Sequence, residues 1–213
     1  MVTAATGLAG WGLRSFRRRS VSVMVTLWKC LIQTKLDYCS QLWTPNDQES
    51  INSIEKVQKH FLSNVAGTEN LDHWQRLELL HLYSQERHRE RYVVIFLWKI
   101  SEGLVKGYQV NFTDNDNGRR GRMAVPLPYA RTAPAAVKRA RESSLGVKGC
   151  QLFNLLPPTI RNMTGVTTDV FKKALDDFLS TVPDQPTVSG LSRAAATNSL
   201  KDQLAIQVNT FSY

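Results

Sequence analysis

Arginine clusters, one Asp-Asp step, four histidines and three cysteines are the side chains of this 213-residue chain with chemical potential. Paired carboxylates come first, because two of them can hold a metal pair for phosphoryl transfer. Asp176-Asp177 lies in a segment with helical apolar spacing. Adjacent side chains on a helix diverge by about 100°, which suits a solvated face better than a shared metal pair. Asp114 and Asp116 sit in the turn-forming run Asp114-Asn115-Asp116-Asn117-Gly118, with no third acid at calcium-loop spacing. His60, His73, His81 and His88 lack zinc-protease spacing and read as exposed or partly packed. Cys30, Cys39 and Cys150 are far apart and form no C-x-x-C pair. Neither a zinc site nor a disulfide framework follows, and Cys39 reads as a small buried cysteine in a reducing compartment. No glycine-rich phosphate cradle is present. Enzyme activity, a cofactor and a metal are therefore not expected of this chain alone.

Cations suit a different task, the grip on phosphates. Arg14, Arg17, Arg18 and Arg19 precede a helix, and Arg87, Arg89 and Arg91 crowd the start of another. Arg119, Arg120 and Arg122 lie in a Gly-flanked stretch that Lys138, Arg139 and Arg141 continue. Guanidinium groups in such clusters reach phosphates readily, whereas a solvated charge run is the plainer alternative. Trp11, Trp74 and Tyr129 lie near these clusters, where they either stack on bases or pack in the core.

The charge is unevenly spread. The net charge is +9 and the isoelectric point about 9.7. Residues 1–40 carry six Lys/Arg and one acid, and residues 119–150 carry eight and one. Residues 41–118 are slightly acidic, with eight and eleven. Two basic stretches flanking an acidic block point to an anionic partner, with nucleic acid first. No apolar run approaches the ~20 residues of a membrane span. A nuclear or cytoplasmic protein, not a secreted one, is expected.

The elements that must position these groups are helices. Val21, Met24, Val25, Trp28, Leu31 and Ile32 recur at helical spacing up to about Asp37. Pro45 stops that helix, and Asn46 with Glu49 resembles a capping box for the next, which Gly67 closes. A short helix over about 72–82 and a longer one over 84–102 follow; Tyr92 to Ile100 is apolar nearly all round and predicts a central core element. A last helix over 166–182, capped by Thr168 or Asp169, has Phe171, Leu175 and Leu179 on its apolar face. Hydrophobic residues make up 42% of the chain, enough for a real core. The fold class is mainly α: a helical bundle, a basic irregular loop, a short terminal helix and a flexible tail. The expected divisions are a basic N-terminal arm (1–19, with a disordered Gly-rich tip), a helical domain (20–107), a basic loop (108–150), a terminal motif with its helix (151–182) and a tail (183–213).

Several motifs in order resemble the thumb and post-thumb region of reverse transcriptases from LINE-type, non-LTR retrotransposons. They begin with Leu36 to Pro45, in which Asp37, Tyr38, Cys39, Trp43 and Pro45 stand at matching positions. Glu55 and Gln58 match the next helix, and Arg76 to Leu80 matches an Arg-Leu-x-x-Leu run. Phe153, Asn154, Leu156, Pro157, Phe171 and Lys172 match the terminal motif, although many relatives carry Trp where Phe153 stands. The resemblance implies a helical thumb that grips a template–product duplex behind a palm lying upstream. It further implies a non-catalytic piece of a polymerase that binds RNA or an RNA–DNA duplex, with the palm and fingers portion as a protein partner. A helical structural or interaction relic is the alternative.

Overall fold

A computed structural model of the chain describes residues 2–40, 45, 47–112, 121–125, 134–142, 144–186 and 198–210. The fold is mainly helical, as expected. The chain divides into two compact units, one built from residues 1–89 with 184–198, the other from 90–183 with 199–213.

The first unit opens with α1 (Val2–Ser15). A disordered tip was expected here, because its glycines and alanines read as loop. Their smallness is what packs them: Ala5, Ala9 and Gly12 are buried at helical spacing, and Gly12 approaches the Phe61 ring. The next helical run comprises α2 (Val21–Leu27), a π-helical turn at Trp28–Ile32 and α3 (Gln33–Asp37). In the π turn the Gln33 N–H reaches back five residues to the Trp28 carbonyl. Helix α4 (Gln48–Leu62) is capped by Asp47, whose side chain accepts from the Ser50 N–H at 2.8 Å. The cap is thus Asp47; Asn46, expected in that role, lies outside the described residues. Helix α5 (His73–Leu79) starts at a capping box formed by Asp72 and Gln75. Met24, Trp28, Ile32 and Leu36 join Ile54, Val57, Phe61 and Leu62 in one core, where the Trp28 and Phe61 rings lie 5.9 Å apart. Fully burying one such side chain contributes about 1.5–3 kcal/mol.

Helix α6 (Gln85–Ser101) begins in the first unit, and from Glu90 onward belongs to the second. It closes as a Schellman motif: Gly103 takes φ +70° and the Leu104 N–H donates to the Lys99 carbonyl at 2.9 Å. The stretch 108–150, expected to be an irregular loop, contains α7 (Ala135–Glu142) and a second π-helical turn at Leu145–Gly149. Alanine and long side chains favour helix here once tertiary packing holds them. Helices α8 (Cys150–Leu155) and α9 (Pro158–Arg161) meet at the bend expected at Pro157. Helix α10 (Thr168–Leu179) is capped by Thr167, and not by either expected residue, Thr168 or Asp169. Its Phe171 stacks on Trp98 at 4.4 Å, and the Trp98 indole N–H donates to the Met163 carbonyl at 2.8 Å.

The expected flexible tail contains α11 (Leu200–Thr210), whose first N–H is received by Glu90 at 2.8 Å. A carboxylate at a helix N-terminus satisfies an orphan donor and faces the positive end of the helix dipole. No helix among the described residues is long and apolar enough to cross a membrane.

Candidate nucleic-acid interface

The thirteen cations expected to contact phosphates divide by environment. Arg14, Arg17 and Arg18 are exposed at the end of α1 and in the connector that follows. Arg19 is not part of that outward set. Its guanidinium donates to the Leu13 carbonyl, one of the last carbonyls of α1, and lies 3.9 Å from the Met24 sulfur. Its own carbonyl receives the Ala66 N–H at 2.8 Å. Arg19 thus anchors the connector from which Arg17 and Arg18 project.

Arg87, Arg89 and Arg91 do not form the expected solvent-facing cluster. Arg87 is 0% exposed and Arg89 3%. Arg89 donates to the Leu36 carbonyl at 2.8 Å, closing the C-terminal end of α3. Burial lowers the Arg89 pKa to about 10, against the raising effect of Asp37. Arg91 makes a two-pronged contact with Asp176, its Nη2 lying 2.7 Å from Oδ2. Asp176 is therefore an ion-pair partner rather than a plain solvated carboxylate. A charged run reads as a surface only while its partners, fifty or more residues distant, are out of view.

Arg122 is exposed beside the buried Met123, and Lys138 and Arg141 are half-buried. Arg119, Arg120 and the Arg139 side chain lie outside the described residues, as do Trp43 and Tyr129. Arg161 was not expected to matter. Burial, and next the charge of Arg122, lower its pKa, which places two guanidinium groups in one electrostatic neighbourhood.

Asp37 is the one acid in residues 1–40. It accepts from Gln33 Nε2 at 2.7 Å and lies 3.1 Å from His88 Nε2. Among the described residues, Arg14, Arg17 and Arg18 have no carboxylate partner. Trp11 is 47% exposed and meets the 38% exposed Phe16 edge-on, with centroids 6.0 Å apart. Trp74 packs edge-on against His73 at 4.9 Å. No group of His, Cys, Asp and Glu among the described residues is arranged to hold a metal.

Several of the motif residues hold the fold. Glu55 binds His73 and the Gln85 N–H, and Gln58 binds the Tyr83 carbonyl and Gln85. Asn154 exchanges two hydrogen bonds with the Met123 backbone, at 2.8 and 2.9 Å. Phe153, Leu156 and Phe171 are buried, Pro157 precedes α9, and Lys172 pairs with Asp169 at 3.1 Å. Pro45 is half-buried. Tyr38 and Cys39 are exposed, and Cys39 adopts φ +52°. The expectation of a buried Cys39 is thereby corrected; the buried cysteine is Cys150.

Compared with known protein families, with curated proteins and with solved structures, the chain matches none.

Proposed function

We propose that this chain is a nucleic-acid-binding helical module that grips the phosphates of RNA or an RNA–DNA duplex and does no polymerase chemistry of its own. The proposal accords with its resemblance to the thumb and post-thumb region of LINE-type reverse transcriptases. One observation carries it: Arg14, Arg17 and Arg18 are exposed on an anchored connector, while Asp37, the one acid in residues 1–40, is engaged by Gln33 and His88. Exposed cations outside any ion pair among the described residues present a field that favours a polyanion. Each phosphate neutralised releases condensed counterions, so affinity falls steeply with salt.

The test is a titration of the chain against RNA and an RNA–DNA duplex over a range of salt. The plot of log affinity against log salt should become shallower by roughly two to three units when Arg14, Arg17 and Arg18 are all changed to Ala. Arg91→Ala, already paired with Asp176, is the internal control and should leave the slope as it is. Absence of binding, or equal slopes for the triple variant and the parent, would return the chain to a helical structural role.

A further inference from the structure

Beyond the phosphate grip, on whose reading this inference rests, we infer that Trp11 and Phe16 form a stacking platform for unpaired bases, making the N-terminal site selective for single-stranded nucleic acid. The two rings are exposed and perpendicular, with centroids 6.0 Å apart. Arg14 lies one turn beyond Trp11 on α1, and its guanidinium stands 3.3 Å from the place a Cβ on Gly10 would take. That cation therefore folds back toward the residue preceding Trp11. Arg17 and Arg18 follow Phe16 directly and are exposed.

The platform is held in place. The Phe16 N–H continues the helical ladder to the Gly12 carbonyl at 3.0 Å. Arg19 bonds back to Leu13, and Ala66 bonds to the Arg19 carbonyl. Pre-ordering the backbone that carries the rings and cations lowers the entropy lost on binding.

Aromatic faces next to phosphate-binding cations suit one occupant best. In a duplex the bases are stacked on one another, and an exposed ring at the backbone gains little. A single strand offers both a phosphate for each guanidinium and a free base face for each ring. An acidic membrane surface is a poorer match. An interfacial helix buries a continuous apolar stripe, yet the other exposed residues of α1 are Thr3, Ala4, Thr6, Gly7, Arg14 and Ser15.

The experiment compares oligouridylate, a blunt RNA–DNA duplex and phosphatidylserine vesicles as probes, using the full chain. Trp11→Ala with Phe16→Ala should weaken oligouridylate binding by about 30-fold or more and leave duplex binding unchanged. Trp11→Phe with Phe16→Tyr, which keeps two ring faces, should restore most of the loss. Thermal melting of each variant should stay cooperative, with a modest drop for the double Ala variant, because each ring is little more than half buried. If the parent binds both nucleic acids and the double Ala variant loses neither, the platform is overturned while the phosphate grip stands. Equal loss on both probes also overturns it. Binding of neither nucleic acid by the parent removes both readings, and binding of vesicles alone, lost in the double variant, assigns the rings to a membrane surface instead.

Discussion

Nε2 of His73 lies 2.6 Å from Oε1 of Glu55, and the two side chains are 4% and 14% exposed. The other Glu55 oxygen accepts from the Gln85 N–H at 2.8 Å, at the first residue of α6. One carboxylate thus fixes the start of α5 and of α6 from its place on α4. Glu55→Ala strands both donors. Leaving a buried donor unsatisfied costs about 1–3 kcal/mol, so a loss in that range should be seen in urea denaturation.

Arg91 and Asp176 join α6 to α10 across 85 residues of sequence. The pair is partly solvent-exposed, at 15% and 37%, so its contribution is modest. Arg91→Ala should lower stability by about 1 kcal/mol. Asp176→Asn should do the same, and a double-mutant cycle reads out the coupling.

Burial pushes the Cys150 thiol pKa up. Cys30 and Cys39 are exposed. In the native chain iodoacetamide should label Cys30 and Cys39 and spare Cys150 until denaturant is added, as counted by mass spectrometry. The folded thiol also keeps its proton at pH values where the unfolded one has lost it. Its contribution to stability is full below the ordinary thiol pKa and fades as pH rises through the raised one. Cys150→Ser should remove that part of the alkaline decline.

Gly149 sits where a Cβ would stand 2.9 Å from Leu97 Cδ1 and 3.2 Å from Val93 Cγ1. Both belong to α6, so the second π turn can approach that helix only while position 149 lacks a side chain. Gly149→Ala should cost about 1–3 kcal/mol through overpacking, visible as a lowered melting temperature.

Asn154 pairs with the Met123 backbone as a neighbouring strand would, accepting its N–H and donating to its carbonyl. Asn154→Ala should loosen residues 121–125 without unfolding the chain. Limited trypsin digestion should then cut faster after Arg122, which already lies exposed.

The helices that read well from the sequence are those with a wide apolar stripe, such as α4 and α10, or with a fully apolar half, such as α6. Their periodicity is local, and a stop signal such as Gly103 is local too. Helix α1 does not read as helix, because the fully buried centre of its packing face is Ala5, Ala9 and Gly12, and the Val2, Leu8 and Leu13 that flank it are too widely spaced among glycines to give a clear stripe. Helix α11 was hidden for a related reason: Glu90, far away in sequence, receives its first N–H. The basic clusters were half legible. Arg14, Arg17 and Arg18 project as their surroundings suggest, but Arg19, Arg76 and Arg89 are spent on carbonyl oxygens of Leu13, Thr68, Leu71 and Leu36. An arginine that closes a helix end or a turn has the same letter as one that stays exposed. The aromatic pair was half legible as well: Trp11 was noted, and Phe16, five residues on, gave no periodic cue.

The π turn at Trp28–Ile32 holds one residue more than an ordinary helical turn. An α-helix advances about 100° per residue, and the five residues of the wide turn cover about the rotation that four would cover there. Losing one residue within the turn would convert it to ordinary α-helix and leave Leu36 buried and Asp37 facing His88. Losing one residue within α4, which has no such slack, would instead turn the rest of that helix by about 100°. Among natural variants of this chain, the wide turn should accept a change of count that the regular helices refuse.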